Sequence, residues 1–332
     1  MAEKLLVIRM SALGDVAMTI PVVYSFAKQY PDIQVSVLTQ PFFAKLFVDR
    51  PDNLTLICFE PNKGVGKIRA LCSLLVKLYK EKFSYVADLH NVLRSWIICY
   101  ILLITGSKVK MVDKNRAERV RALQAKTRQK DFISRYCDVF SGLGFPVTID
   151  FKSLFPNPPQ LPQCMGLNYP SIGIAPTARY ANKTYPFSLM KELVGHLVKE
   201  GFHVYLFGGK NDIDILNRIS DGKAKIVAGK FDLLQELAIM YHLNLMLTMD
   251  SANQHLAALV GTKVLTIWGS TTPECGFSPF MSERKHAIVA ACECQPCTIA
   301  GADTCKYGTL ECMMAISPNI IINKIKQAIY EN

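Results

Sequence analysis

Short apolar runs alternate with longer stretches of helical periodicity along this chain, and this alternation restricts the possible fold more than any other feature. The runs that we interpret as buried strands are residues 4–9, 34–38, 54–58, 85–88, 171–175, 203–207, 225–227, 244–248 and 263–268. Strands that are separated by helices of about ten residues or more form parallel sheets with helices on both faces. The alternation therefore predicts an α/β protein.

A proline-rich stretch divides the alternation into two halves. Residues 155–170 contain five prolines and little periodicity, which is typical of a linker. The chain has 332 residues, half of them hydrophobic, and this is enough for two domains. We predict a first domain over residues 1–160 and a second over residues 168–332. Because ligands bind at the carboxyl ends of the strands in open α/β sheets, we expect the site in a cleft between the domains.

The chain carries a formal net charge of +11, which favours anionic partners. The excess is concentrated in residues 108–130, which contain nine lysines and arginines but only two acidic residues. Most charge runs are solvated helix faces, but the bias here favours an anionic acceptor. The arginines that we assign to acceptor binding are Arg94, Arg116, Arg119 and Arg121. We expect no nucleic acid partner, because the sequence contains no helix-turn-helix, zinc-finger or RNA-binding signature.

The sequence predicts a cytoplasmic location. Residues 1–4 lead directly into the first strand without a signal peptide, and cysteines are scattered along the chain. The most apolar stretch, residues 96–104, is nine residues long, whereas a bilayer span needs about 20. We interpret it as a buried helix end. The alternative is a membrane-facing patch, which would place the protein peripherally on the cytoplasmic face of the inner membrane.

Five of the eleven cysteines cluster near the C-terminus. Cys294 and Cys297 have the C-x-x-C spacing of metal ligands, and Cys305 and Cys312 would complete a set of four. The second pair is separated by six residues, which differs from a standard zinc finger. A structural zinc site, a labile disulfide and free thiols are all compatible with this pattern.

The turn between the first strand and the first helix carries a carboxylate. Gly14 permits a tight turn, and Asp15 falls in the first turn of the helix. Aspartate is favoured there as a helix cap, which is the simpler interpretation. At the carboxyl end of a strand it would also be available as a general base. The turn lacks the full G-x-G-x-x-G pattern, which disfavours a nicotinamide dehydrogenase.

Polar residues also follow the predicted strands of the second half. Asp250 and Ser251 open a helix with His255 in its first turn, and the free N–H groups and dipole of that end make an anion site. The alternative is a capped core helix with an incidental histidine. Thr177 and Lys183 lie in a loop that either binds phosphate or is merely solvated.

These motifs, in this order and spacing, resemble the heptosyltransferases of glycosyltransferase family 9, which have the two-domain GT-B fold. The resemblance spans most of the chain. The motifs are S-x-L/M-G-D at residues 11–15, T-x(5)-K at residues 177–183, D-S/T-x-x-x-H at residues 250–255 and a G-x-T-x-P-like turn at residues 269–273. Ala252 stands where the family usually has glycine, and Asp212 stands where it usually has glutamate.

The resemblance implies two Rossmann-like, doubly wound domains that face a cleft, with the acceptor bound by the first and the nucleotide-sugar by the second. Asp15 would deprotonate the acceptor hydroxyl. The residues that would bind the donor are Thr177, Lys183, Asp212, Asp250, Ser251 and His255. Because no D-x-D motif lies in a suitable place, Lys183 and the helix N-terminus would stabilise the leaving diphosphate instead of a metal ion, and we expect no cofactor.

We therefore predict an inverting glycosyltransferase that transfers heptose, or a related sugar, from an ADP-sugar to an anionic lipopolysaccharide inner-core acceptor. The alternative enzyme is a family relative that uses another nucleotide sugar. The non-enzymatic alternative is a catalytically silent GT-B protein that only binds nucleotide or glycan. Asp15 distinguishes these classes, because a binding module needs no carboxylate on that turn.

Overall fold

The computed structural model describes residues 3–60 and 66–330 and divides the chain into two units. The first unit comprises Met1–Asn115 and Phe132–Lys152, and the second comprises Arg116–Asp131 and Ser153–Asn332. Each unit has its own parallel β-sheet with helices packed on it. The predicted α/β architecture with two Rossmann-like domains is confirmed.

The first sheet has five parallel strands in the order β3-β2-β1-β4-β5. The strands are β1 (Lys4–Ile8), β2 (Gln34–Thr39), β3 (Leu54–Cys58), β4 (Tyr85–Asp88) and β5 (Lys108–Met111). The helices along this part of the chain are α1 (Leu13–Gln29), α2 (Pro41–Ala44), α3 (Gly66–Glu81), α4 (Leu93–Ile104), α5 (Arg116–Gln124) and α6 (Phe132–Ser141). The strand order reverses between β1 and β4, so the carboxyl ends of these two strands meet at a topological switch point.

Helices cover the first sheet with two different sets of apolar side chains. On one face, Leu78 of α3 and Ile98 of α4 pack with Ile8 of β1 in a common core. α1 packs against α6, and the rings of Phe26 and Phe140 lie 4.8 Å apart between their centroids. The apolar side of α1 therefore packs against a helix that lies more than 100 residues further along the chain.

The second sheet has six strands in the order β11-β10-β9-β6-β7-β8, again all parallel. The strands are β6 (Ser171–Ala175), β7 (His203–Leu206), β8 (Lys225–Ile226), β9 (Leu245–Met249), β10 (Val264–Trp268) and β11 (Ala287–Val289). The helices are α7 (Phe187–Lys199), α8 (Ile213–Ser220), α9 (Leu233–Tyr241), α10 (Ala252–Leu259), α11 (Glu311–Met314) and α12 (Pro318–Tyr330). Here the switch point lies between β6 and β9.

The division into units differs from the predicted boundary. Residues 116–131 group with the second unit, although they precede the proline-rich linker and were assigned to the first domain. The Arg119 guanidinium lies 5.1 Å from the centre of the Phe277 ring, and the Gln129 backbone N–H donates to the Glu274 carbonyl oxygen over 2.9 Å. These contacts join segments that are about 150 residues apart, so linear order does not reveal them.

The apolar stretch at residues 96–104 is not a buried helix end. It forms most of α4, in which Trp96 is 42% and Ile104 is 84% exposed, while Ile98 and Leu102 face the core. Within residues 3–60 and 66–330, no helix is both long enough and apolar enough to span a membrane.

Candidate functional site

Two chain segments meet at the switch point of the second sheet. The loop after β6 carries Thr177 and Lys183, and Asp250 follows directly on β9. Because β6 and β9 are neighbouring parallel strands, their carboxyl ends lie side by side. There Lys183 Nζ lies 2.7 Å from Asp250 Oδ2, and the two side chains are only 11% and 6% exposed. The structure thus brings together two residues that the sequence assigned separately to the donor site.

The Asp250 carboxylate is held by two further donors. Thr271, beyond β10, donates its hydroxyl to Oδ2 over 2.6 Å, and Gln254 of α10 donates through Nε2 to Oδ1 over 3.0 Å. Thr266 in turn donates to Gln254 Oε1 over 3.1 Å. A carboxylate that accepts three hydrogen bonds from three different segments has a fixed orientation. Asp250 is therefore an anchor for Lys183 rather than a simple helix cap.

Lys183 retains a donor for a ligand. Its ammonium group carries three N–H donors, of which one meets Asp250 and one meets the Ala300 carbonyl oxygen at 3.3 Å. The third N–H can donate to an anionic oxygen without breaking the ion pair with Asp250. This arrangement presents a positive charge at a fixed point of the switch-point edge.

Unpartnered hydroxyls lie beside this ion pair. Ser251 is the N-cap residue of α10, and its hydroxyl is buried without a hydrogen-bond partner among the described residues. Thr272 follows Thr271 in the turn after β10, and its hydroxyl is also buried without a hydrogen-bond partner among the described residues. His255 lies in the first turn of α10 and is buried against Gln254. Buried polar groups are nearly always paired in proteins, so these hydroxyls indicate a place for ligand oxygens.

The turn that begins at Gly269 fixes the backbone around Lys183 together with Asn182 and Gln295, two residues that sequence reasoning missed. The Asn182 carbonyl oxygen accepts from the Ser270 backbone N–H over 3.1 Å, and a Cβ on Gly269 would come within 2.6 Å of that same oxygen. Gln295 donates through Nε2 to the Gly269 carbonyl oxygen over 2.7 Å. The glycine at residue 269 is the sequence signal for this close approach of the two backbone segments, because any other residue would place a Cβ against the Asn182 carbonyl oxygen.

The other predicted donor residues lie on the same sheet edge without joining the ion pair directly. Thr177 is half-buried in the loop that carries Lys183. Asp212 follows β7, and its Oδ2 accepts from the Gly209 backbone N–H over 2.7 Å. Asp212 therefore caps its own turn, and no hydrogen bond within residues 3–60 and 66–330 connects it to Lys183 or Asp250.

The switch point of the first sheet holds a second charged pair. Arg9, at the end of β1, is 4% exposed, and its Nη2 lies 2.6 Å from Asp15 Oδ2. Arg9 Nη1 donates to the Leu89 carbonyl oxygen, just beyond β4, over 2.6 Å. The Asp15 side chain also accepts from the Ala12 backbone N–H over 3.3 Å and remains 29% exposed. Asp15 thus makes the cap contact that the simpler interpretation predicts, and part of its carboxylate also faces solvent.

Further polar groups lie at the end of β4 and just beyond it. Asp88 is fully buried and accepts from the His90 backbone N–H over 2.8 Å and from the Ser95 hydroxyl over 2.7 Å. His90 Nε2 lies 3.3 Å from Ser11 Oγ. Burial, together with the nearby charges of Arg9 and Lys114, lowers the pKa of His90 to about 4. His90 is therefore neutral at physiological pH and does not form an ion pair with the Asp15 carboxylate, which pairs with Arg9.

The four arginines assigned to the acceptor belong to different units. Arg94 is half-buried on α4 of the first unit, whereas Arg116 and Arg121 are exposed on α5 of the second unit. Arg119 is buried, donates through Nε to Gln129 Oε1 over 3.0 Å and stacks on Phe277. Arg119 therefore attaches α5 to the second unit, and Arg116 and Arg121 are the members of this set that present free surface charge.

The C-terminal cysteines are free thiols, as are the other cysteines of the chain. The labile disulfide is therefore absent from this structure, and in the described part of the chain no three His, Cys, Asp or Glu side chains converge on a metal position. Burial, with a contribution from neighbouring cysteines such as Cys294, raises the pKa of Cys312 to about 12. Backbone N–H groups of Leu310 and Tyr307 lower the pKa of Cys305. The zinc site stays a prediction.

Comparison with known proteins identifies the family. The model of glycosyltransferase family 9 (heptosyltransferase) matches residues 71–307. The chain is 24% identical over 281 residues to lipopolysaccharide heptosyltransferase 3 of Escherichia coli, which covers 78% of this chain and 81% of that protein.

Solved structures of low sequence identity share the fold. A glycosyl transferase family 9 structure from Veillonella parvula superimposes with a TM-score of 0.76 at 18% identity and covers 99% of this chain and 98% of its own. The E. coli heptosyltransferase WaaC with ADP superimposes with a TM-score of 0.69 at 14% identity, over 98% of this chain and 99% of its own. The two parallel sheets with their switch-point sites are thus the GT-B architecture, and the chain belongs to glycosyltransferase family 9 and is a glycosyltransferase.

Proposed function

We propose that this glycosyltransferase transfers heptose, or a related sugar, from an ADP-sugar to an anionic lipopolysaccharide inner-core acceptor. The observation that carries the proposal is the Lys183–Asp250 ion pair beside the unpartnered Ser251 hydroxyl at the switch point of the second sheet. This site offers a fixed cation, a hydroxyl and a helix N-terminus to a diphosphate. The relatives of the chain are lipopolysaccharide heptosyltransferases, and one fold neighbour carries ADP.

The donor site would act chiefly on the leaving group. When the bond between the anomeric carbon and the diphosphate oxygen breaks, negative charge grows on that oxygen. The third N–H of Lys183 and the free N–H groups at the start of α10 would stabilise this charge more strongly in the transition state than in the ground state. Thr177 and His255 would contact the same diphosphate, and Asp212 would hold a ribose hydroxyl.

The acceptor side of the reaction needs a base. We assign this role to Asp15, whose carboxylate is partly exposed at the switch point of the first sheet. The acceptor hydroxyl oxygen would attack the anomeric carbon from the face opposite the diphosphate, and its proton would pass to Asp15, so the configuration inverts. Arg9 would orient the carboxylate, since its guanidinium is itself fixed by the Leu89 carbonyl oxygen.

The acceptor would be recognised by charge. Arg116 and Arg121 are exposed on α5, and anionic groups of an inner core would pair with them. Because such an acceptor is anchored in a membrane, we also propose that the protein works peripherally at the cytoplasmic face of the inner membrane.

The test combines nucleotide binding with transfer. Calorimetric titration with ADP, UDP and GDP should give the tightest binding for ADP, and ADP-heptose should be consumed in the presence of a heptose-deficient inner-core acceptor. Lys183→Ala should weaken ADP binding about tenfold or more, because a charge-assisted contact is worth about 1.5–3 kcal/mol. Lys191→Ala is the matched control, since Lys191 forms an exposed ion pair with Asp221 in the same unit.

Each alternative predicts its own result. A preference for UDP or GDP would show that this glycosyltransferase uses a nucleotide sugar other than an ADP-sugar. Nucleotide binding without transfer to any acceptor would indicate a binding protein without catalysis.

A further inference from the structure

Helices α3 and α4 of the first unit pack side by side and turn a second apolar face away from the core. The outward residues of α4 are Leu93, Trp96, Ile97, Tyr100, Leu103 and Ile104, all of them exposed. On α3, Ile68, Val76 and Tyr79 are exposed at helical spacing. We call these residues of α3 and α4 the outer apolar face.

This face is not required by the packing of the unit. The inward sides of the same helices already supply Leu74, Leu78, Ile98 and Leu102 to the core of the first sheet. A surface helix normally has polar residues opposite its core stripe, whereas α4 is apolar on both sides. Exposed apolar residues that recur along one side of a helix mark an interaction site.

Charge next to the outer apolar face indicates the kind of partner. Arg69, Lys77 and Lys80 are exposed on α3, each one position after an apolar residue of the face. Glu81 is the sole acidic residue in the sequences of α3 and α4, and it pairs with Lys4 Nζ at 2.9 Å. A basic stripe beside an apolar stripe complements a surface that combines negative headgroups with hydrocarbon.

We propose that the outer apolar face docks on an anionic phospholipid membrane. Trp96 and Tyr100 would lie at headgroup level, where amphipathic rings are favoured, and Ile104 would enter the acyl boundary. A second copy of this chain fits the face less well, because a symmetric pairing would bring two basic stripes together. The inference specifies the surface that would bind the membrane and does not depend on the identity of the transferred sugar.

The test is co-sedimentation with vesicles of phosphatidylcholine, with and without about one-third phosphatidylglycerol. The wild-type protein should bind the anionic vesicles and be released by high salt. Trp96→Ser/Tyr100→Ser/Ile104→Ser should lower the partition coefficient about tenfold or more, because it removes apolar area that enters the lipid. Arg69→Gln/Lys77→Gln/Lys80→Gln should remove the preference for anionic vesicles.

The control variant is Met281→Ser/Tyr307→Ser, which removes exposed apolar side chains from the second unit and should bind vesicles like the wild type. Every variant should bind ADP as the wild type does, so a failure of the nucleotide proposal remains separate from a failure of this one. Unchanged sedimentation of the triple apolar variant would overturn the proposal. A lipid-free dimer that this variant converts to a monomer would also overturn it and would assign the face to a second copy.

Discussion

Lys183 and Asp250 form an ion pair, with 2.7 Å between Nζ and Oδ2, that connects the loop after β6 to the end of β9. The pair is nearly inaccessible to solvent, so each charge depends on the other for its stability. It also lies where the proposed diphosphate would bind. We therefore expect folding stability and ADP affinity to depend on the same two side chains.

Removal of one partner should expose this coupling. Lys183→Met leaves the buried Asp250 carboxylate without its cation, and we expect it to lower the free energy of unfolding by about 3 kcal/mol. Lys183→Met/Asp250→Asn should recover most of this loss, because no unpaired charge remains, but it should still bind ADP poorly. Urea unfolding and calorimetric titration measure the two effects. A double variant with wild-type ADP affinity would exclude Lys183 from the donor site.

Asp15→Asn tests the proposed base. The amide keeps the shape and can accept from the Ala12 N–H, but it cannot take a proton from the acceptor hydroxyl. We expect an intact fold, normal ADP affinity and a kcat lower by about 10²–10⁴. Asp32→Asn, an exposed site in the same unit, is the control and should leave kcat unchanged. Near-normal turnover of Asp15→Asn, with only a small fall in melting temperature, would leave Asp15 as a helix cap.

Gly269→Ala tests the close approach under the Lys183 loop. The new Cβ would meet Met313 Cε and would lie 2.6 Å from the Asn182 carbonyl oxygen, so the loop must shift. We expect a loss of about 1–3 kcal/mol in the free energy of unfolding together with weaker ADP binding. Gly195→Ala is the matched control, because a Cβ there meets no atom within 4 Å and lies in α7. This control should gain up to about 1 kcal/mol and keep its ADP affinity.

His90 should make the first unit sensitive to acid. Its pKa is about 4 in the folded protein and about 6.5 in the unfolded chain, so between these values the unfolded chain binds a proton that the folded protein does not. Stability is therefore complete above about pH 6.5 and falls as the pH drops towards 4. Between pH 7 and pH 4.5, the free energy of unfolding of His90→Gln should fall by about 2 kcal/mol less than that of the wild type. Urea unfolding at each pH measures this difference. An identical acid slope in this variant would contradict the shifted pKa.

The strand pattern could be predicted from the sequence because most strands are continuous apolar runs. β3, β4 and β6 have the predicted bounds. β5 was not predicted, because Lys108 and Lys110 give it the composition of a basic loop. It is an edge strand in which lysines alternate with half-buried Val109 and Met111, and such positions tolerate charge.

The candidate site was predictable only in part. Lys183 and Asp250 each follow a strand, so their position on the ligand-binding edge could be expected from local pattern. Their direct bond could not, because it depends on β6 and β9 being neighbours while two other strands intervene in the chain. Arg9 was missed for a different reason: a charged residue at the end of a strand normally reaches solvent, whereas this one is buried against Leu89 and Asp15.

The grouping of α5 with the second unit limits how the two domains can be exchanged between related enzymes. The chain passes from one unit to the other after Asn115, after Asp131 and after Lys152. A recombination event with one crossover near the proline-rich linker would join a new second domain to an α5 that evolved with the old one, and the Arg119–Phe277 stacking would be lost unless both partners match. We therefore expect a functional chimera to need residues 116–131 inherited together with residues 153–332, so the two domains are harder to exchange than a single linker between them would imply.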